Sequence, residues 1–166
     1  MTLIVEDGTG VAGAESYASV SGADAYWLLW GWNSGWTAET VDNKESALRL
    51  ATRWLDLNYD YCEELLDIDQ ALGYPRTLCY DRQGRAIGGE GILPANLVAA
   101  CIEAADMFRK NGYANPDTSA IIKEKIGQSD FTYSASKMAD MDVNRVTNIL
   151  RGIATPAGNV FKLRRG

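Results

Sequence analysis

The clearest periodic segment spans 41–58. There Ala47, Leu48, Ala51, Trp54 and Leu55 recur on one helical face, and Lys44, Glu45, Arg49, Arg53 and Asp56 occupy the other. This pattern predicts an amphipathic helix. The best-bounded helix falls at 94–111, with Leu97, Val98, Cys101, Ala104, Ala105 and Phe108 as its apolar stripe. Pro94 suits the first helical position, Arg109 and Lys110 favour the negative end of the helix dipole, and Gly112 supplies a left-handed stop. A third helix is predicted at 21–31, opened by Ser21 as N-cap with Asp24 three residues on. The aromatic run of Trp27, Trp30, Trp32 and Trp36 is then broken into a turn by Gly31, Asn33, Ser34 and Gly35. A last helix at 142–151 follows Val143, Val146, Ile149 and Leu150.

Between the last two helices the period changes. Ile121, Ile122 and Ile126, then Phe131 and Tyr133, flank the turn formers Gly127, Gln128, Ser129 and Asp130, which predicts a β-hairpin. The expected fold is mainly α: a small bundle of about four helices with a β-hairpin insertion and extended N- and C-terminal arms. At 166 residues this is one domain, divided into an N-terminal arm (1–20), a helical core (21–115), the hairpin (118–136), and a last helix with the C-terminal tail (140–166).

Composition narrows the chemistry. No apolar run approaches the roughly 18 residues of a membrane span, and the start lacks the basic and apolar regions of a signal peptide, so an intracellular protein is expected. The chain has no histidine, which removes the commonest general base and zinc ligand and excludes Ser-His-Asp or Cys-His catalysis by this chain alone. Cys62, Cys79 and Cys101 are odd in number and widely spaced, and are expected to be free thiols with Cys101 buried. The net charge of −6 is unevenly spread: 13 acids and 3 bases at 1–69, against 4 acids and 8 bases at 118–166. An acidic front and a basic rear suit head-to-tail contacts or an acidic partner.

Two motifs invite a ligand. Gly8, Gly10 and Gly13 have the G-x-G-x-x-G spacing of a dinucleotide turn after Leu3, Ile4 and Val5. Yet Glu6 and Asp7 would crowd the phosphate, no helix opens behind the glycines, and no acidic ribose ligand ends a second strand. No cofactor is expected. The second motif is the carboxylate cluster Asp60, Glu63, Glu64, Asp67 and Asp69, which lacks the spacing of a calcium loop. It reads as a solvated face, and no metal is expected. An enzyme working through Glu63, Glu64, Asp67 and Asp69 alone has nothing to fix their geometry, so no catalytic residue is assigned.

LIVEDGTG at 3–10, ESYASVSGADAYW at 15–27, KESALRLATRWLD at 44–56, QALGYPR at 70–76 and ILPANLVAACIEAA at 92–105 together resemble a phage family. Its label is "putative DnaT-like single-stranded DNA-binding protein", and its organisation is similar to that of tailed-phage head-tail connectors (adaptors). The resemblance covers nearly the whole chain and fades after Gly127; Tyr74 stands where the family more often has Trp. It implies a non-catalytic virion protein, a ring typically of twelve copies beneath the portal that extends the DNA channel at the phage neck. Its partners would be the portal protein, identical protomers, and downstream tail or neck proteins, with DNA passing without specific binding and no membrane. It would assemble in the host cytoplasm.

On that reading the extended stretch Val160, Phe161, Lys162, Leu163, Arg164 and Arg165 docks on the portal. Glu6, Asp7, Tyr17, Ile122, Lys123, Lys125, Phe131 and Tyr133 are assigned to contacts between protomers. The alternative is a single-stranded DNA-binding protein of phage replication. It needs a basic groove with stacking aromatics. Trp27, Trp30, Trp32 and Trp36 supply aromatics in an acidic neighbourhood, where Trp27 and Trp30 read as core. The cations on offer are Lys123, Lys125, Arg145, Arg151, Lys162, Arg164 and Arg165.

Overall fold

A computed structural model describes residues 2–31, 33–81, 83–112 and 136–157, with side chains described from Asp142 onward in the last helix. The order of elements is α1 (Val20–Trp30), α2 (Ser34–Ala38), α3 (Val41–Asn58), β1 (Tyr59–Tyr61), α4 (Ala95–Lys110), α5 (Ser136–Ile149) and β2 (Ala154–Pro156). The protein is mainly helical, as its periodicity predicts. The predicted hairpin at 118–136 lies outside the described residues, apart from Ser136 at the start of α5. So do all six tail residues, Val160 to Arg165, assigned to a portal.

Helix α4 is the central element, packed against α3 on one side and α5 on the other, with α1 lying against both α3 and α4. Its burial runs unbroken from Ala100 to Phe108, because neighbours cover it on several faces and not along one stripe. The stripe of α3 meets it through Ala47, Leu48, Ala51 and Leu55, each fully buried. Trp54 fills the end of this contact, edge-on to Phe108 at 6.4 Å and to Tyr59 at 5.6 Å between ring centres. Burying a side chain such as Leu48 or Leu97 contributes about 1.5–3 kcal/mol, so this three-helix layer dominates the fold.

Local signals set the ends of the helices. The Thr40 hydroxyl accepts from the Asn43 amide and starts α3. Helix α1 begins at Val20, and its cap lies two residues before the predicted one: Ser19, not Ser21, accepts from the Gly22 amide. Pro94 is the N-cap of α4 and not its first residue, in extended backbone with φ −61° and ψ 131°. The polar break after α1 contains a short helix of its own, since Asn33 caps it by accepting from the Trp36 amide and Trp36 is buried as its anchor.

Two further ties join distant parts of the chain. Past α3 the period switches to two, with Tyr59 and Tyr61 buried and Asp60 exposed, and β1 pairs antiparallel with β2: Tyr59 with Pro156, Asp60 with Thr155, Tyr61 with Ala154. The second tie corrects the expectation of three free thiols. Cys62 and Cys79 form a disulfide across the loop that follows β1, and only Cys101 among them is free, buried in the core. Wide spacing in sequence is no bar to pairing once the chain between folds back.

The N-terminal segment packs onto this core. Its backbone bonds to itself, with the Glu6 amide donating to Ser16 and the Glu15 amide to Ile4. Tyr17 and Ala18 join the main core cluster.

Candidate nucleic-acid interface

The glycine motif that resembles a phosphate loop has its anion already, and it is a side chain. Glu6 is 2% exposed, and its two carboxylate oxygens accept from the amides of Gly8, Gly10 and Val11, all at 2.9 Å. These are the donors a pyrophosphate would need. Gly8 has a φ of +100°, and a Cβ there would stand 2.7 Å from the Ile92 amide nitrogen, so the glycine serves close packing against the segment before α4.

A second polar knot explains QALGYPR. Asp56 on α3 accepts from the Tyr17 hydroxyl at 2.6 Å, the Tyr61 hydroxyl at 3.1 Å and the Gly73 amide at 2.9 Å. The Tyr17 hydroxyl in turn accepts from the Tyr74 amide at 3.0 Å. Burial pushes the Asp56 carboxyl up, opposed by the donors from Tyr17, Gly73 and Tyr61. Burial, with the carboxylate beside them, also raises the Tyr17 and Tyr61 hydroxyls. The knot ties the N-terminal segment, α3, β1 and the 70–76 loop together, leaving no oxygen of Asp56 without a donor.

Glu6 and Tyr17, both assigned from sequence to contacts between protomers, therefore hold their own chain together. Asp7 is exposed and accepts from the amide and hydroxyl of Thr9, and Ile122, Lys123, Lys125, Phe131 and Tyr133 lie outside the described residues. The carboxylates Glu63, Glu64, Asp67 and Asp69 are exposed on the disulfide loop. Among the described residues no group of three or more Cys, Asp or Glu is arranged to hold a metal ion, and no helix is long and apolar enough to cross a membrane.

The face formed by α1, α4 and α5 is different. Helix α1 is apolar nearly all round, so it cannot bury every side chain: Trp27 goes into the core, while Leu28, Leu29 and Trp30 stay 71–76% exposed. Trp27 meets the expectation of a core residue and Trp30 does not. Tyr26, one turn before Trp30, lies 6.5 Å from it between ring centres. Tyr26 then reaches α4, its hydroxyl donating to Glu103 Oε1 at 2.7 Å.

Helix α5 supplies the other wall. Val146 and Leu150 point into the core, which turns Asn144, Arg145 and Asn148 outward on the opposite face. Arg145 pairs with the same Glu103 Oε1 at 2.5 Å while its side chain stays 55% exposed. An open cleft of about 580 Å³ results, lined by Tyr26, Glu103, Asn144, Arg145, Asn148 and Ile149. Burial raises the Glu103 carboxyl, opposed by Tyr26 and Arg145, and burial beside that carboxylate pushes the Tyr26 hydroxyl up to about 12.

Cations continue along the end of α4. Arg109 and Lys110 both pair with the buried Asp106, at 2.8 and 2.9 Å, and Lys110 lies 3.8 Å from Asp142 of α5. Burial opposes ionisation of Asp106, yet the donors from Lys110, Asn33 and Arg109 hold its carboxyl below the usual range. Arg145 is among the cations the sequence offers to DNA; Tyr26, Glu103, Asn144 and Asn148 carry no sequence motif that marks them. Their partners sit on three helices, and only the i, i+1, i+4 spacing of Asn144, Arg145 and Asn148 hints at a shared polar face.

A family model described as "Putative DnaT-like ssDNA binding protein" matches residues 1–166. No curated protein and no solved structure matches the chain. The family description names single-stranded DNA and no portal or neck role, which overturns the expectation of a structural head-to-tail adaptor and favours the alternative reading of the sequence. Over its whole length the chain belongs to this DnaT-like family.

Proposed function

We propose that the protein is a single-stranded DNA-binding module that engages DNA through the face of α1, α4 and α5. The observation that carries this is Trp30, standing 71% exposed beside Tyr26, which itself borders the Arg145 cleft. An exposed aromatic next to a cation is the minimal unit of single-strand binding: bases of any sequence stack on the ring while the cation meets the backbone. The whole-chain family match supports the same reading.

Charge limits the footprint. With 13 acids against 3 bases at 1–69, a long track of phosphate would be repelled, so contact is confined to a short segment near Arg145 and Lys110. Two neutralised phosphates on a single strand correspond to a salt slope of about −1.4 in log K against log salt, a shallow dependence.

The test is fluorescence anisotropy of a labelled twelve-nucleotide single strand, titrated with the full chain at several salt concentrations. Trp30→Ala, at an exposed position, should weaken binding about tenfold, in line with the loss of one stacked base. Arg145→Gln should weaken binding and flatten the salt slope by about 0.7, the share of one phosphate. Absence of binding at low salt, or binding that Trp30→Ala leaves untouched, overturns the reading.

A further inference from the structure

Glu103 is an unusual floor for a cleft that is to meet a polyanion. Its side chain is 5% exposed, and Oε1 takes both donors, from Tyr26 and from Arg145. Oε2 has no hydrogen bond among the described residues. Oε2 is not among the sealed-off polar atoms of the described residues, so it lies open to the cleft, where a ligand's N–H can take the place of water. The contrast with Glu6 and Asp56 is direct, since both oxygens of each are occupied by the chain's own donors.

The remaining lining narrows the ligand. Asn144 and Asn148 each offer one acceptor and two donor hydrogens, Arg145 offers donors only, and Tyr26 and Ile149 give apolar surface. The volume of about 580 Å³ falls among sites for small ligands, which run roughly 300–1,000 Å³. A flat, mostly apolar ring with a mixed hydrogen-bonding edge and at least one outward N–H fits these walls, and that describes a nucleobase.

Resting on the single-strand reading above, we propose that this cleft receives one unstacked base of the bound strand and selects bases that carry an exocyclic amino group over thymine and uracil. The amino group of cytosine or adenine donates to Glu103 Oε2. The ring acceptor beside it takes a hydrogen from the amide of Asn148, while Arg145 at the rim faces the phosphate. Thymine and uracil put a carbonyl oxygen where the amino group would be, against the carboxylate. A carboxylate accepting from the cytosine amino group is an established form of base readout.

The experiment compares labelled dC12 with dU12, whose bases differ only in the C4 substituent and the proton on N3, in anisotropy titrations at one low salt concentration. The full chain should bind dC12 about tenfold more tightly, the size of one well-placed base contact. Glu103→Gln should bring the ratio near one, because its amide donates as readily as it accepts. Trp30→Ala should weaken both strands equally and preserve the ratio. Glu103 also holds Tyr26 and Arg145, so Asn148→Leu, at an exposed position, is the second variant: dC12 affinity should fall severalfold with the melting temperature unchanged. Equal affinity for dC12 and dU12 overturns the base pocket and leaves the single-strand reading standing. A ratio that survives Glu103→Gln, or dC12 affinity that survives Asn148→Leu, overturns the assigned contacts; no binding to either strand overturns both proposals.

Discussion

Two of the places where this molecule buries carboxylates treat them in opposite ways. Around Glu6 and Asp56 every carboxylate oxygen is met by donors from the chain itself: backbone amides at Gly8, Gly10, Val11 and Gly73, and the Tyr17 and Tyr61 hydroxyls. At Glu103 one oxygen is doubly used and the other meets no donor among the described residues, at the floor of an open cleft. Burial costs a carboxylate much the same in either place. A closed set of donors offsets that cost within the folded chain and makes a structural joint, whereas an incomplete set leaves room for a ligand to complete it. The comparison also explains why VEDGTG and QALGYPR are so motif-like: the amides of Gly8, Gly10 and Val11 are bonded to Glu6 and that of Gly73 to Asp56, so these stretches hold the fold.

The largest effect that tests the comparison is expected from Asp56→Ala. Removing the carboxylate leaves the Tyr17 hydroxyl, the Tyr61 hydroxyl and the Gly73 amide without their acceptor in a largely buried knot. At roughly 1–3 kcal/mol for each stranded buried donor, with some relief from water, the loss should be about 3–4 kcal/mol in urea denaturation. If the variant is destabilised by less than about 1 kcal/mol, the knot is not a joint.

Glu6→Ala should cost less, about 2 kcal/mol, because Gly10 and Val11 are only partly buried and water can replace the carboxylate at their amides. The local consequence is sharper than the global one. Limited proteolysis should leave residues 2–13 of the parent protected and cut them in the variant, with single-strand affinity unchanged in both. Equal cleavage of parent and variant would place the N-terminal segment outside the folded unit.

How far sequence reaches into this molecule follows the range of the interactions. Helices α3 and α4 are legible because their stripes and end signals are local: Ala47 and Ala51, Leu97 and Cys101, Arg109 and Gly112 lie within a few turns of one another, although the Thr40 cap of α3 emerges only in the structure. Strands β1 and β2 are three residues each and pair Tyr59 with Pro156, which no local period announces. The Cys62–Cys79 bridge was hidden by an odd cysteine count, since the third thiol, Cys101, is a core residue and not a partner. The cleft was the least legible part. Its acceptor, Glu103, falls within the apolar run of α4, and its two donors come from residues 77 positions before and, through Arg145, on a helix far downstream. Trp30 misled in the other direction, because an aromatic at helical spacing reads as core, and α1 simply has more apolar faces than neighbours.

The smallest effect separates the two regions by pH. The Asp56 and Glu103 carboxyls are both raised, first by burial, so the folded state holds their protons more tightly than the unfolded chain does. Each therefore opposes folding in its charged form: the penalty is full above the folded pKa and disappears as pH falls towards the ordinary values of 3.8 and 4.5. Asp106 has the opposite sign, its carboxyl lowered below 3.8 against burial by Lys110, Asn33 and Arg109, and its contribution is lost as pH falls through the folded value. The urea midpoint should thus rise modestly as pH drops from neutral into the weakly acidic range, then fall at more acid pH. Asp56→Asn should remove part of the rise, and Asp106→Asn part of the fall. The comparison is sharpened by Arg145→Leu, which takes away a cation that lowers the Glu103 carboxyl and should move its share of the rise to higher pH, while the share of Asp56, sealed in its own knot, stays in place. A variant that moved neither share would mean that Glu103 is as closed to its surroundings as Asp56, and the distinction between joint and cleft would fail.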